Sequence, residues 1–122
     1  MRLLRTLLLA AAIGATAPMA AQQYKGKASY YSNALHGRRM SDGTPYDKNS
    51  MTCAHRSLPL GTLVKVTNPK NGKSVVVKVT DRGPHHRRLL IDLSRKAAEE
   101  IDILHQGVAD VVVEVVKKVK KE

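Results

Sequence analysis

The stretch from Val76 to Ser94 holds the side chains best suited to chemistry. A β-branched run leads straight into Asp81, and Arg82-Gly83-Pro84 follows. A cationic loop of His85, His86, Arg87 and Arg88 comes next, and then a second short strand that carries Asp92. Two carboxyl groups at strand ends beside a basic loop suit acid–base work on a polymer. A strand holds its terminal side chain still, while the adjoining surface loop admits substrate. Neighbouring carboxyls also divide roles, one keeping its proton and the other ionised. Plainer readings stand beside these. Asp81 before Gly and Pro suits a turn aspartate that bonds its own backbone. Asp92 stands two positions before Ser94, where negative charge favours a helix start.

His55 follows the small-residue run Thr52-Cys53-Ala54 and precedes Arg56. It is either a proton-handling group or a structural histidine. His85 with His86, and His36 in His36-Gly37-Arg38-Arg39, lack the usual zinc spacings, and the chain has one cysteine. No metal and no other cofactor is expected. Cys53 reads as a buried thiol, with a nucleophile as the alternative. One cysteine builds no disulfide framework within an exported chain. Nucleophile-elbow, phosphate-loop and dinucleotide fingerprints are missing from the sequence.

These residues need strands to hold them. Gly26 to Tyr31 reads as a first strand. Residues 32–50, rich in Gly, Asn, Asp and Ser, form a long loop of the kind that is usually functional. Met51 to His55 reads as a short buried strand, and Leu58 to Gly61 as a turn. Leu63 to Thr67 alternates, with Val64 and Val66 on one face. Asn68 to Gly72 is a hairpin turn in which Asn71-Gly72 supplies a positive-φ pair. Lys73 to Thr80 returns with Val75, Val77 and Val79 on one face. Ser94 caps a helix from Arg95 to about Leu104, apolar at Ala97, Ala98, Ile101 and Leu104. Val108 to Val116 is a final strand. Short strands with one helix predict a mostly-β closed sheet.

Residues 1–21 read as a secretory signal: Arg2 and Arg5, then an apolar run from Leu7 to Ile13, then small residues. A membrane anchor is the alternative, but the run falls short of the ~20 apolar residues that span a bilayer. No stable membrane insertion is expected. Residues 22–116 form the one domain, and 117–122 a basic tail, either solvated or touching an anionic wall or lipid. A net charge of +11 favours polyanions. Export, and four tyrosines with no nucleic-acid motif around them, argue against nucleic acid. An anionic cell-wall polymer or membrane surface is the better partner, although the charge also serves plain solubility.

A set of motifs in order resembles the rare lipoprotein A family of septal ring lytic transglycosylases. They are Ala28-Ser29-Tyr30-Tyr31, His36-Gly37-Arg38-Arg39, Gly43-x-x-Tyr46-Asp47, Thr52-Cys53-Ala54-His55-Arg56-x-Leu58-Pro59-Leu60-Gly61-Thr62, Val66-Thr67-Asn68, Asn71-Gly72-Lys73-Ser74, Asp81-Arg82-Gly83-Pro84 and Ile91-Asp92-Leu93-Ser94. The resemblance covers about residues 26–116. It implies a six-stranded double-psi β-barrel with one short helix. It also implies endolytic cleavage of the MurNAc–GlcNAc β-1,4 bond of peptidoglycan, leaving a 1,6-anhydroMurNAc end, in wall remodelling and septation. The family's active-site positions fall on His55 and Asp81, and Asp92 matches the acid of related double-psi barrels; this implies acid–base work for Asp81 and Asp92, with His55 orienting or shuttling a proton. Tyr31, Thr44, Arg56, Arg82 and Gly83 are implied to hold glycan. Thr44 stands where many members carry Glu. Implied too are a periplasmic or cell-envelope location, a monomer, and divisome or other cell-wall proteins as further partners. No lipid-attachment cysteine follows the signal. The alternative from another class is a noncatalytic, expansin-like wall-binding module. A secreted nuclease of barwin-like type is the third reading.

Overall fold

The computed structural model describes residues 23–118. The expected signal segment and the end of the basic tail lie outside the described residues. Six strands form a closed barrel: β1 (Gln23–Tyr30), β2 (Thr52–Ala54), β3 (Leu63–Thr67), β4 (Ser74–Asp81), β5 (Ile91–Leu93) and β6 (Ala109–Lys117). Around the barrel the order is β1-β5-β2-β4-β3-β6. The pairs β1/β5 and β2/β4 are parallel, and the others are antiparallel. This is the mostly-β barrel with one short helix that the motifs imply.

Alternation explains the strands. Val64 and Val66 of β3, Val77 and Val79 of β4, and Val111 and Val113 of β6 point inward and are buried. Ile91 and Leu93 of β5 join them, which turns Asp92 to the other face. The described interior is filled by Val, Ile, Leu and Ala, and the sequence has no Phe or Trp. Each buried Val, Ile or Leu side chain contributes about 1.5–3 kcal/mol by leaving water. Gly26 serves close approach: a Cβ there would lie 2.9 Å from the Leu90 Cβ. The segment entering β5 can therefore lie directly on β1.

Two local expectations need correction. The helix α1 spans Arg95–Glu100 and does not reach Leu104. Ser94 caps it, accepting from the Ala97 N–H. Asp102, at φ 57, then turns the chain in a left-handed cap. The Ile103 N–H bonds the Ala98 carbonyl and the Asp102 N–H bonds the Glu99 carbonyl, which closes the helix end. The Ile101 carbonyl instead accepts from Asn68 Nδ2 at 2.9 Å and Asn71 Nδ2 at 3.2 Å. Side chains of the β3–β4 turn thus take an acceptor the next helical turn would need. The turn itself has one positive-φ residue, Gly72, rather than an Asn-Gly pair. Asn71 N–H bonds the Asn68 carbonyl, so a tight turn precedes a single left-handed glycine.

Ser94 is fully buried, and its own N–H bonds the Thr52 carbonyl. Ser94→Ala is expected to lower stability by about 1 kcal/mol, read as a lower urea midpoint at unchanged m-value. An unchanged midpoint would mean that the helix start does not depend on its cap.

Candidate active site

Register builds the site before any side chain is considered. Ser29 of β1 pairs with Asp92 of β5, Asp92 pairs with Ala54 of β2, and Ala54 pairs with Asp81 of β4. Four adjacent strands thus set one row: Ser29, Asp92, Ala54, Asp81. The two acids flank a single strand, so their backbones stand about 10 Å apart, two strand spacings. Between them Ala54 presents only a methyl group. A bulge makes the row possible. Cys53 pairs with Val79, yet Ala54 pairs with Asp81, so Thr80 is the extra residue in β4. Such a bulge re-aims the side chain that follows it. Thr80 turns inward, its hydroxyl against Met40 Sδ, and Asp81 takes the place in the row.

An open cleft of about 510 Å³ lies over this row. Asp81, Asp92, Ser29, Tyr31 and Ser41 line it, with Arg38, Arg39, Arg82, His85 and His86 supplying positive or titratable groups. The loop 32–50 forms one wall. Tyr46 anchors that wall, stacking on Tyr31 at 4.3 Å between ring centroids, and its hydroxyl accepts from the Arg95 N–H.

The two acids sit in opposite environments. Burial pushes the Asp81 carboxyl up, but donated hydrogen bonds outweigh it and hold the group below the ordinary carboxylate value. Tyr31 donates its hydroxyl to Oδ2. Oδ1 accepts from the Ser41 N–H at 2.9 Å, the Ser41 hydroxyl at 2.8 Å and the Arg82 N–H at 2.9 Å. Asp92 is raised, chiefly by burial and further by the negative charge of Asp81. The Ser29 hydroxyl, His85 and Arg56 offset this only in part. Burial and the Asp81 carboxylate also push the Tyr31 hydroxyl up, so it stays a donor.

The remaining expected site residues divide. Tyr31 and Arg82 line the cleft. Arg82 spans inward, Nη1 donating to the His55 and Leu58 carbonyls at 3.1 and 2.7 Å. Arg56, Gly83, Thr44 and His55 are not cleft-lining residues. Arg56 braces the cationic loop, donating to the carbonyls of Pro84 and Leu89, both at 2.8 Å. Gly83, at φ 136, serves the backbone turn after Asp81. The Thr44 hydroxyl and N–H both close onto Asp42 Oδ1. His55 is 7% exposed, and its Nδ1 accepts from backbone N–H groups. β2 ends at Ala54, so His55 is the first residue past the strand. Cys53 is buried, its thiol pushed up by burial and by Asp92, as a structural thiol would be. Sequence reasoning missed Ser29, Ser41 and the stacked Tyr46. Ser29 and Tyr46 stand inside quoted motifs, but Ser41 carried no signal.

The titrating groups predict a pH dependence. Burial, then Arg56 and Arg82, hold His55 below its ordinary value. An unfolded chain binds that proton near pH ~6.5 while the folded one refuses it, so this part of the stability is lost as pH falls from there. Asp92 works oppositely: its contribution is present below ~3.8 and lost as pH rises through its raised folded value. Comparing wild type with His55→Asn isolates the histidine. Its urea-midpoint advantage is expected to shrink between about pH 7.5 and about pH 5. A constant difference would show that His55 is not kept neutral by the fold.

A closed mixed barrel with two parallel strand pairs and an acid pair over one open cleft defines a double-psi β-barrel protein with a carboxylate site. The chain belongs to the lytic transglycolase family: the family model of that description matches residues 23–113. It is 49% identical over 89 residues to an endolytic peptidoglycan transglycosylase RlpA of Neisseria meningitidis, covering 73% of this chain and 37% of that one. It is 52% identical over 91 residues to the protein of the same name from Vibrio cholerae, covering 75% and 35%. The chain thus spans little more than a third of the length of these curated relatives. Among solved structures, Streptomyces papain inhibitor aligns with TM-score 0.65 and 28% identity, covering 80% of this chain and 97% of that one. An expansin of Clavibacter michiganensis aligns with TM-score 0.65 and 23% identity, covering 82% and 53%, and this likeness concerns the fold.

Proposed function

We propose that this barrel is an endolytic lytic transglycosylase acting on peptidoglycan glycan strands in the cell envelope. The observation that carries the reading is the acid pair: Asp92 raised and Asp81 lowered, in one row over one cleft. Support also comes from the two RlpA relatives, named as endolytic peptidoglycan transglycosylases.

The chemistry follows from the split. Asp92, the acid whose proton the site holds more tightly, donates it to the departing glycosidic oxygen of GlcNAc as the C1–O4 bond breaks. Positive charge then develops on the muramoyl ring, and the ionised Asp81 carboxylate faces it. The C6 hydroxyl closes on C1, and the Asp92 carboxylate takes the hydroxyl proton. One bond breaks, one forms, and the acid is restored, so no water is consumed. Arg38, Arg39 and Arg82, with Tyr31, bind the glycan. Residues 1–21 act as the export signal, the working unit is a monomer, and septal or other wall proteins are its further partners.

Digestion of purified sacculi tests this. The expected product is a 1,6-anhydroMurNAc end, identified by mass spectrometry. Sacculus binding without such ends would replace the enzyme with an expansin-like binding module.

A further inference from the structure

We propose that a groove across β1 and β6 is a second binding subsite, and that it takes a carboxylate borne by a muramoyl residue of the strand held in the cleft. The inference rests on the transglycosylase reading and extends it to a place the cleft does not reach. The groove has a volume of about 590 Å³. Lys25 and Lys27 of β1, Asp110 and Val112 of β6, Arg88 of the cationic loop and Pro69 of the β3–β4 turn line it. It shares no lining residue with the cleft.

The two are nonetheless joined. Side chains alternate along a strand, so Lys25, Lys27 and Ser29 share one face of β1, and Ser29 begins the acid row. Lys25 stands about 13 Å from Ser29, four residues at ~3.3 Å each. An oligosaccharide bridges that span, and a single sugar does not. The cationic loop forms the wall between. Its end is laid along β1, the Leu90 N–H bonding the Lys27 carbonyl at 2.8 Å. Just before it, Leu89 lines the cleft and Arg88 lines the groove. The Arg88 N–H bonds His86 Nδ1 at 3.3 Å, and the Leu89 N–H bonds the His86 carbonyl at 3.0 Å, so the dividing backbone is tied down.

Charge decides the ligand. Asp110 is the one acid lining the groove, and Lys27 pairs with it at 2.7 Å. Among the described residues no acid pairs with Lys25 or Arg88. Two exposed cations are therefore left uncompensated, with Pro69 and Val112 as apolar surface in the same groove. That combination suits a carboxylate carried among small apolar groups, which ammonium and guanidinium donors hold by charge-assisted bonds. The sugars of a glycan strand are neutral, and its acids come from the muramoyl side chain. A bare muramoyl residue ends in a lactyl acid, and a substituted one carries the acids of its stem peptide. Lactyl and N-acetyl methyls supply the apolar part.

Binding is measured with Asp92→Asn, which holds a strand without cutting it, by titration and by amide NMR shifts. The ligands are a bare muramoyl–N-acetylglucosamine oligosaccharide longer than the cleft, the same oligosaccharide carrying stem peptides, and an N-acetylglucosamine oligomer of equal length. At low salt a carboxylate-bearing strand is expected to shift the amides of Lys25, Lys27 and Val112. Adding Lys25→Gln and Arg88→Gln together is expected to raise its Kd about tenfold, as the loss of two exposed charge contacts does. The same pair should leave binding of the N-acetylglucosamine oligomer unchanged. A response to the bare strand assigns the lactyl acid, and a response to the peptide-bearing strand alone assigns a stem acid. Unmoved groove amides with both strands overturn the inference. Unchanged affinity in the paired variant, or an equal response to the N-acetylglucosamine oligomer, does the same. Should the paired variant not fold, the amide shifts of its parent decide. Release of anhydro ends by wild type tests the enzymatic reading separately. That reading fails alone if no ends appear while a strand still fills the groove, and the subsite fails alone if ends appear with the groove unmoved.

Discussion

Asp92→Asn is expected to cut release of 1,6-anhydromuropeptides from sacculi by about 10²–10⁴-fold, the usual contribution of a positioned acid. The fold should not suffer. Burial and the Asp81 charge disfavour ionised Asp92, so a neutral amide at neutral pH removes a cost. The Ser29 hydroxyl keeps an acceptor in the amide oxygen. The urea midpoint is therefore expected to hold or rise while activity collapses. Loss of activity with gain of stability marks a group kept for chemistry. Undiminished release would remove Asp92 from the mechanism.

Asp81→Asn is expected to abolish release as well, with the opposite effect on stability. The carboxylate accepts four hydrogen bonds, three on Oδ1 and one on Oδ2. Asn can receive the first three, but its NH2 reverses the bond to Tyr31, so the phenol oxygen must accept and the half-buried hydroxyl proton loses its acceptor. The mismatch is expected to cost about 1–3 kcal/mol at neutral pH. The acid limb sharpens the test. A depressed carboxyl stabilises the fold above ~3.8 and loses that contribution as pH falls through its folded value. Wild type should lose its advantage over Asp81→Asn in that window. A neutral-pH midpoint equal to wild type would mean that the donor cluster does not hold Asp81 ionised.

The strands were legible because their reasons are local. Alternating valines fix β3 and β4, and a lone acid between Ile91 and Leu93 must face away from the core. Where the sequence reading failed, the cause acts across the chain. Helix α1 stops where it does because Asn68 and Asn71 take a carbonyl some thirty residues away. No spacing rule within residues 95–104 contains that contact. The site was half legible for the same reason. Asp81 and Asp92 stand out beside turn residues, but the donors that act on them, Ser41 holding Asp81 down and Ser29 opposing the rise of Asp92, come from the long loop and β1. The motifs imply roles for His55 and Thr44, but the groups those side chains bond, the Leu58 N–H for one and Asp42 for the other, carry no signal in the motifs themselves. The bulge at Thr80 decides which residue joins the row, and a one-residue slip of that kind has no composition to betray it.

The row Ser29, Asp92, Ala54, Asp81 draws each member from a different strand, and β1 and β5 meet only when distant parts of the chain come together. Contacts of such long range form late and slowly. An incomplete or half-threaded polypeptide accordingly owns neither half of the machinery, because no neighbouring pair in the row is contiguous along the chain. Under the function proposed above, a cell that makes this barrel in its own interior gains a built-in safeguard: the blade exists only once the last staves of the cask have met.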